Sequence, residues 1–103
     1  MLRRRGRFGE LVERQLDLFA TDEADLLDEA EAADDAWSRS PKDESEERFG
    51  EYQLIVDALA DRLYDVREAY ASTLDEETVD DYRSAFTRAA TKRFRRFAAL
   101  LEE

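Results

Sequence analysis

Carboxylates are the side chains in this sequence that come closest to forming a chemical site. They crowd residues 22–47, where Asp28 is followed at helical spacing by Glu31 and Asp35. Side chains three, four or seven positions apart share one face of a helix, and hard divalent cations prefer such oxygen ligands. The same face could dock a basic protein as a polyanion mimic, or remain a solvated surface with pairs inside the chain. No calcium-loop spacing accompanies these carboxylates, so we predict no resident metal or cofactor. Binding of a divalent cation and docking of a basic protein remain alternative uses of this face.

Two basic clusters are the next candidates for a binding site. Residues 92–97 read KRFRRF, and residues 3–7 read RRRGR. Cations interleaved with aromatic residues are typical of nucleic-acid surfaces, and an arginine arm can attract acidic partners or anionic lipid. At helical spacing, however, Phe94 and Phe97 continue an apolar stripe. The neighbouring cations are therefore expected to pair with acids of the chain and to complement the helix dipole.

The composition excludes several classes of function. The chain has 27 acidic against 16 basic residues, a net charge of −11, no His and no Cys. Thiolate catalysis is excluded, and so is the commonest general base. So acidic a chain is not expected to bind nucleic acid or an anionic membrane with its whole surface. We predict a non-catalytic, cytoplasmic protein, whose acidic, Lys-poor composition fits either a GC-rich genome or a salt-loving host.

The element that must position these side chains is a helix centred on residues 49–70. Its apolar residues recur in alternating steps of three and four, at Phe49, Tyr52, Val56, Leu59, Leu63, Val66 and Tyr70. This heptad spacing places all of them on one stripe that faces other helices. Ser40 is suited to the N-cap and Pro41 to the first turn. The pattern therefore predicts a helix over about 41–72.

The first helix is expected over about 8–37, with one irregular position. Its stripe continues from Val12 to Trp37 in the same register, but Glu23 falls within it. A charge on a buried stripe is costly unless it is paired. Either the helix runs through and Glu23 reaches a cation, or it breaks near Thr21, which would cap a new helix. We favour a continuous helix because the register survives the site.

The third helix is expected over about 76–101. Asp75 is a plausible N-cap, and acids fill the first turn, as the helix dipole prefers. Three helices of similar length joined by short turns favour antiparallel neighbours. We therefore predict one all-α domain over residues 1–103, an antiparallel up-down-up three-helix bundle with a basic arm at residues 1–7. Folding at the two turns would bring Lys92–Arg96 level with Ala24–Asp28.

Surplus apolar residues suggest what the bundle does. Leu54 and Tyr64 fall on the outer side of the second helix, and Trp37 lies at a helix end. Apolar surface beyond the needs of one core is what a partner protein or a second copy covers. We predict a protein-interaction or self-associating module that uses Trp37, Leu54 and Tyr64, with the carboxylates of Asp28, Glu31 and Asp35 as the alternative contact.

Overall fold

The computed structural model describes residues 7–101, and helices dominate this part of the chain, which contains no strand. The prediction of an all-helical protein is confirmed. The α-helices are α1 Gly9–Asp22, α2 Ala24–Ser38, α3 Ser45–Ala71, α4 Val79–Arg93 and α5 Ala98–Leu101. Two 3-10 helices, Lys42–Glu44 and Arg95–Phe97, precede α3 and α5. The prediction of three continuous helices is therefore wrong, since the described residues form five.

The first departure is a bend between α1 and α2. Glu23 leaves the helical region with φ −109° and ψ 27°, although its N–H still donates to the Phe19 carbonyl at 2.8 Å. Its carboxylate accepts a 2.6 Å hydrogen bond from Arg62 on α3. Thr21 does not cap the second segment, because its hydroxyl donates back to the Asp17 carbonyl. A charge on the buried stripe has thus been turned out to a cation, and the continuity we favoured is lost.

The second departure lies within the predicted third helix. Phe94 separates α4 from the following 3-10 helix, with φ −106° and ψ 46°. Its ring packs on Phe19 of α1 at 5.9 Å between centroids, whereas Phe97 packs on Tyr52 of α3 at 6.2 Å. The bend lets two aromatic residues three positions apart reach two different helices.

One hydrophobic core joins these elements. α2 packs along α3, α1 packs against α4, and α5 covers part of α3. The predicted stripe of α3 supplies Tyr52, Val56, Leu59 and Leu63, all buried. The hydroxyl of buried Tyr82 donates to the Gln15 side chain at 2.9 Å, and burial raises the pKa of this phenol. The largest fully buried side chains are Tyr82, Phe86, Leu59, Leu63, Leu101, Val12 and Val56.

The caps agree with the sequence at one turn and differ at the other. The Asp75 carboxylate accepts the Thr78 N–H at 3.0 Å and its hydroxyl at 2.8 Å, as expected of an N-cap. These bonds lower the pKa of Asp75, and the charge of Arg7 contributes. The rest of the predicted arm, residues 1–6, lies outside the described residues. Ser40 instead donates to the Trp37 carbonyl, closing α2.

The basic end of the chain does meet carboxylates of the first two helices, but not those expected. Arg93 pairs with Asp17 on α1 at 2.6 Å. Arg96 pairs with Asp34 at 2.6 Å and also with Asp35, both on α2. These acids lie on either side of the predicted 24–28 segment, because the bends at Glu23 and Phe94 alter the register of two straight helices.

A second charge network ties α3 to α4. Glu68 accepts hydrogen bonds from the Arg83 guanidinium, the shortest at 2.7 Å, and from Arg67 at 2.8 Å. The hydrogen bond from Arg83 is the main reason that the pKa of Glu68 falls to about 2. Arg67 also donates to Thr87 on α4 at 3.0 Å. The carboxylate therefore holds together two cations on neighbouring helices.

This network predicts how stability depends on pH. Glu68 has a folded pKa of about 2 against an ordinary value of 4.5, so its contribution is complete above pH 4.5 and disappears as the pH falls towards 2. We expect Glu68→Gln to lower the free energy of unfolding by about 1 kcal/mol at pH 7, a modest value because water screens a half-exposed pair. Urea unfolding of both proteins between pH 2 and pH 7 should show the difference closing with acid.

The matched control is Asp80→Asn. Asp80 comes no nearer than 3.8 Å to the same Arg83 and its side chain is 88% exposed, so the change should remove only the small helix-dipole contribution of a first-turn acid and cost less than Glu68→Gln. A Glu68→Gln difference that persists unchanged at pH 2 would contradict the proposed role of the carboxylate charge.

Candidate functional site: an outer helix face and a basic groove

The three apolar residues predicted to contact a partner have different surroundings. Leu54 is 71% exposed, the most exposed large apolar side chain that the structure describes. Trp37 is half-buried, with its ring 4.8 Å from Phe49 and nearly parallel to Tyr52 at 5.8 Å. Tyr64 is also half-buried, and its hydroxyl donates to the Leu101 carbonyl at 2.8 Å. Of the three, Leu54 alone presents most of its side chain to solvent.

The three predicted carboxylates are also divided. Asp28 and Glu31 are exposed, but Asp35 accepts a hydrogen bond from Arg96, which also binds Asp34 and the Glu31 carbonyl. The hydrogen bond to Asp34 is the main cause of the raised pKa of Arg96. Within residues 7–101, no group of three or more acidic side chains could hold a metal ion. Asp34 and Asp35 are therefore committed to Arg96, whereas the carboxylates of Asp28 and Glu31 form no ion pair with a described residue.

A distinct surface surrounds Leu54. At 100° per residue, Leu54 lies on the side of α3 opposite the buried stripe, and Gly50 and Ala58 lie one turn away on either side. Four carboxylates border these three residues. We call this set the α3 outer face; it consists of Glu47, Gly50, Leu54, Asp57, Ala58, Asp61 and Asp65.

The carboxylates of the α3 outer face differ from those of α2. The nearby Glu51 pairs with Arg48, but Glu47, Asp57, Asp61 and Asp65 form no ion pair within the described part of the chain. The acidic row of the α3 outer face was not among the sites predicted from the sequence. Its signal was nevertheless present, because three aspartates recur at four-residue spacing on the side of α3 opposite the heptad stripe.

Gly50 is unusual within this face. Glycine in the middle of a helix costs about 1 kcal/mol relative to alanine, and no glycine among the described residues has a positive φ. A Cβ built at Gly50 would have no atom within 4 Å. Neither the backbone conformation nor the packing of the chain therefore requires glycine here. Its effect is to leave a flat site beside Leu54, where another backbone can approach closely.

A second surface is an open groove at the junction of α4 and α5. Residues of both helices and of the 3-10 helix between them line it, among them Thr87, Arg88, Thr91, Lys92, Arg95 and Ala98. Arg88, Lys92 and Arg95 are exposed and form no ion pair with any described residue. We call this surface the α4–α5 groove. The sequence had indicated cations paired inside the chain, which holds for Arg93 and Arg96 but not for these three.

The chain matches no protein-family model, no curated protein sequence and no solved structure. None of the helices that the structure describes is both long enough and apolar enough to cross a membrane.

Replacement of Gly50 by alanine tests how this position affects the stability of the fold. Gly50→Ala should raise the free energy of unfolding by about 1 kcal/mol, because it removes the backbone-entropy cost and its methyl group meets nothing. In a domain of this size that corresponds to a rise of about 4–8 °C in Tm. Thermal unfolding followed by circular dichroism measures it.

Ala58→Gly, one turn beyond Leu54, is the matched control and should lower Tm by a similar amount. A fall in Tm for Gly50→Ala would show that the fold itself needs the glycine.

Proposed function

We propose that this protein is a non-catalytic, cytoplasmic protein-interaction module that docks a helix of a partner on its α3 outer face. In this proposal the helices form three antiparallel arms, namely α1 with α2, α3 alone, and α4 with α5. The supporting observation is Leu54, 71% exposed in the centre of a helix face that two small residues make flat. A side chain of this kind, once buried by a partner, gains about 1.5–3 kcal/mol.

The rim of the face specifies the partner's chemistry. Three aspartates and one glutamate surround Leu54 without an ion pair in the described chain. Carboxylates at a rim add little affinity, but they accelerate encounter with a positive surface and disfavour a negative one. The partner that fits is an amphipathic helix with an apolar stripe flanked by Lys or Arg, packed along α3 as one helix packs on another.

This assignment draws together the two contact modes expected from the sequence. The carboxylates of residues 22–47 were the alternative surface for a basic protein or divalent cations. Of these, Glu23, Asp34, Asp35 and Glu44 pair with arginines of the chain, and no exposed large apolar side chain lies within this described segment. The acidic row of α3 borders Leu54, which is exposed, and for this reason we propose α3 rather than α2 for the basic partner.

The proposal is tested with a synthetic helical peptide that carries Leu at a and d heptad positions and Lys at the flanking ones. Titration into the ¹⁵N-labelled protein should move amide resonances of residues 47–65 while leaving those of α1 unchanged. Leu54→Ser should weaken binding at least about tenfold, the loss expected when one buried leucine is removed. Raising the salt concentration from 0.1 to 0.5 M should weaken binding without abolishing it, because only the charged rim is screened.

The matched control is Leu18→Ser. Leu18 on α1 is 60% exposed but belongs to a different surface, beside Arg62 and Glu23. Equal losses in the two variants, or resonance changes centred away from α3, would contradict the proposed site.

A further inference from the structure

The α4–α5 groove carries a positive charge that no ion pair among residues 7–101 neutralises. The protein has 27 acidic and 16 basic residues, so a cation can readily find a carboxylate within the chain. Arg83, Arg93 and Arg96 have done so. Arg88, Lys92 and Arg95 lie between them in sequence and form no ion pair with a described residue, although Glu13 lines a neighbouring pocket with Lys92. Three adjacent cations on one concave surface, without an ion pair in the part of the chain that the structure describes, indicate an anionic ligand.

The long side chains of the groove fit an extended anionic surface. The Thr91 hydroxyl donates to the Thr87 carbonyl at 2.8 Å, whereas the Thr87 hydroxyl accepts from Arg67 at 3.0 Å and keeps its own proton. The charge of the groove comes from a row of long cations with aliphatic stems, beside apolar surface from Ala98. This combination suits a helix with carboxylates and an apolar side chain.

The chain itself carries such a helix. On the α3 outer face, Asp57, Asp61 and Asp65 follow one another at four-residue intervals, a rise of about 6 Å each. Arg88 and Lys92 have the same spacing on α4, so the two rows match in pitch. Leu54 lies one turn before the first aspartate, where it can meet the apolar part of the groove.

We propose that the α4–α5 groove binds the α3 outer face of a second copy of this protein. The inference rests on the proposed function, because it identifies the partner of the α3 outer face as the α4–α5 groove of another copy. The two surfaces belong to different helices and both face outwards, so one chain cannot join its own pair. Two copies can therefore make the contact twice about a two-fold axis, or its repetition can close a larger ring or extend a chain of molecules.

Net charge does not forbid this association. Two molecules of charge −11 repel one another, but at physiological salt the Debye length is only about 8 Å. The carboxylate and cation rows that touch therefore govern the contact, while most of the remaining charge is screened.

Charge reversal in two separate variants tests the contact. The face variant carries Asp57→Lys and Asp61→Lys, and the groove variant carries Arg88→Glu and Lys92→Glu. All four residues are exposed, so both variants should keep the helical circular dichroism of the parent. The parent protein should associate as its concentration rises, and each variant alone should associate at least about tenfold more weakly, because like charges now face each other.

The decisive measurement is an equimolar mixture of the two variants in sedimentation velocity. Each retains one intact surface, and the lysine face of one variant also complements the glutamate groove of the other, so the mixture should associate at the concentrations at which the 12.0 kDa parent does. A chain carrying all four substitutions should associate again, since both rows have changed sign. A monomeric parent, or a mixture that stays monomeric, would overturn the face-to-groove contact.

Failure of this inference is distinguishable from failure of the proposed function. The groove variant keeps its α3 outer face and should still bind the Leu/Lys peptide. Peptide binding together with a monomeric parent would remove the second copy and leave the interaction module. If the folded parent protein does not bind the peptide, both the proposed function and the contact between copies are contradicted.

Discussion

The structure depends on covering one apolar stripe. Helix α3 is 27 residues long, and its buried residues Tyr52, Val56, Leu59 and Leu63 lie on a single side. A solitary helix gains little from such a stripe in water, because most helical stability in proteins comes from tertiary packing. α2, α4 and α5 all contact α3. The opposite side of α3 has no cover among the described residues, and for that reason it offers the clearest surface for a partner.

The two bends follow from the same requirement. A straight α1–α2 helix would carry Glu23 on the covered side, where an unpaired charge is expensive. Bending at this residue lets its carboxylate reach Arg62 at 2.6 Å while the flanking apolar residues stay packed. At Phe94 the chain bends so that aromatic rings on both sides of the bend find different helices. The concave surface at the second bend, between α4 and α5, is the groove whose three cations form no ion pair with residues 7–101.

Sequence periodicity predicted those features of the fold that are decided by residues on the same helix. The heptad spacing from Phe49 to Tyr70 predicted a helix and its buried side, and with that side the exposure of Leu54. The hydrogen bonds from Thr78 to the Asp75 carboxylate were also readable, since they form within one turn, but α4 begins only at Val79, three residues later than predicted. The break at Phe94 was not, because no Gly, Pro or capping residue marks it and its cause is packing against α1 and α3. Tyr64 shows the same limit: the pattern placed it outside, but α5 lies beside it once the chain has bent.

The position of Trp37 has a practical consequence. It is the only tryptophan of the chain, and its indole lies against Phe49 and Tyr52, where the end of α2 meets the start of α3. Indole emission reports the polarity around this one ring and none at the α1–α4 contact. Fluorescence would therefore follow the separation of the α2 end from α3 during unfolding. Circular dichroism would record the loss of helix throughout the molecule.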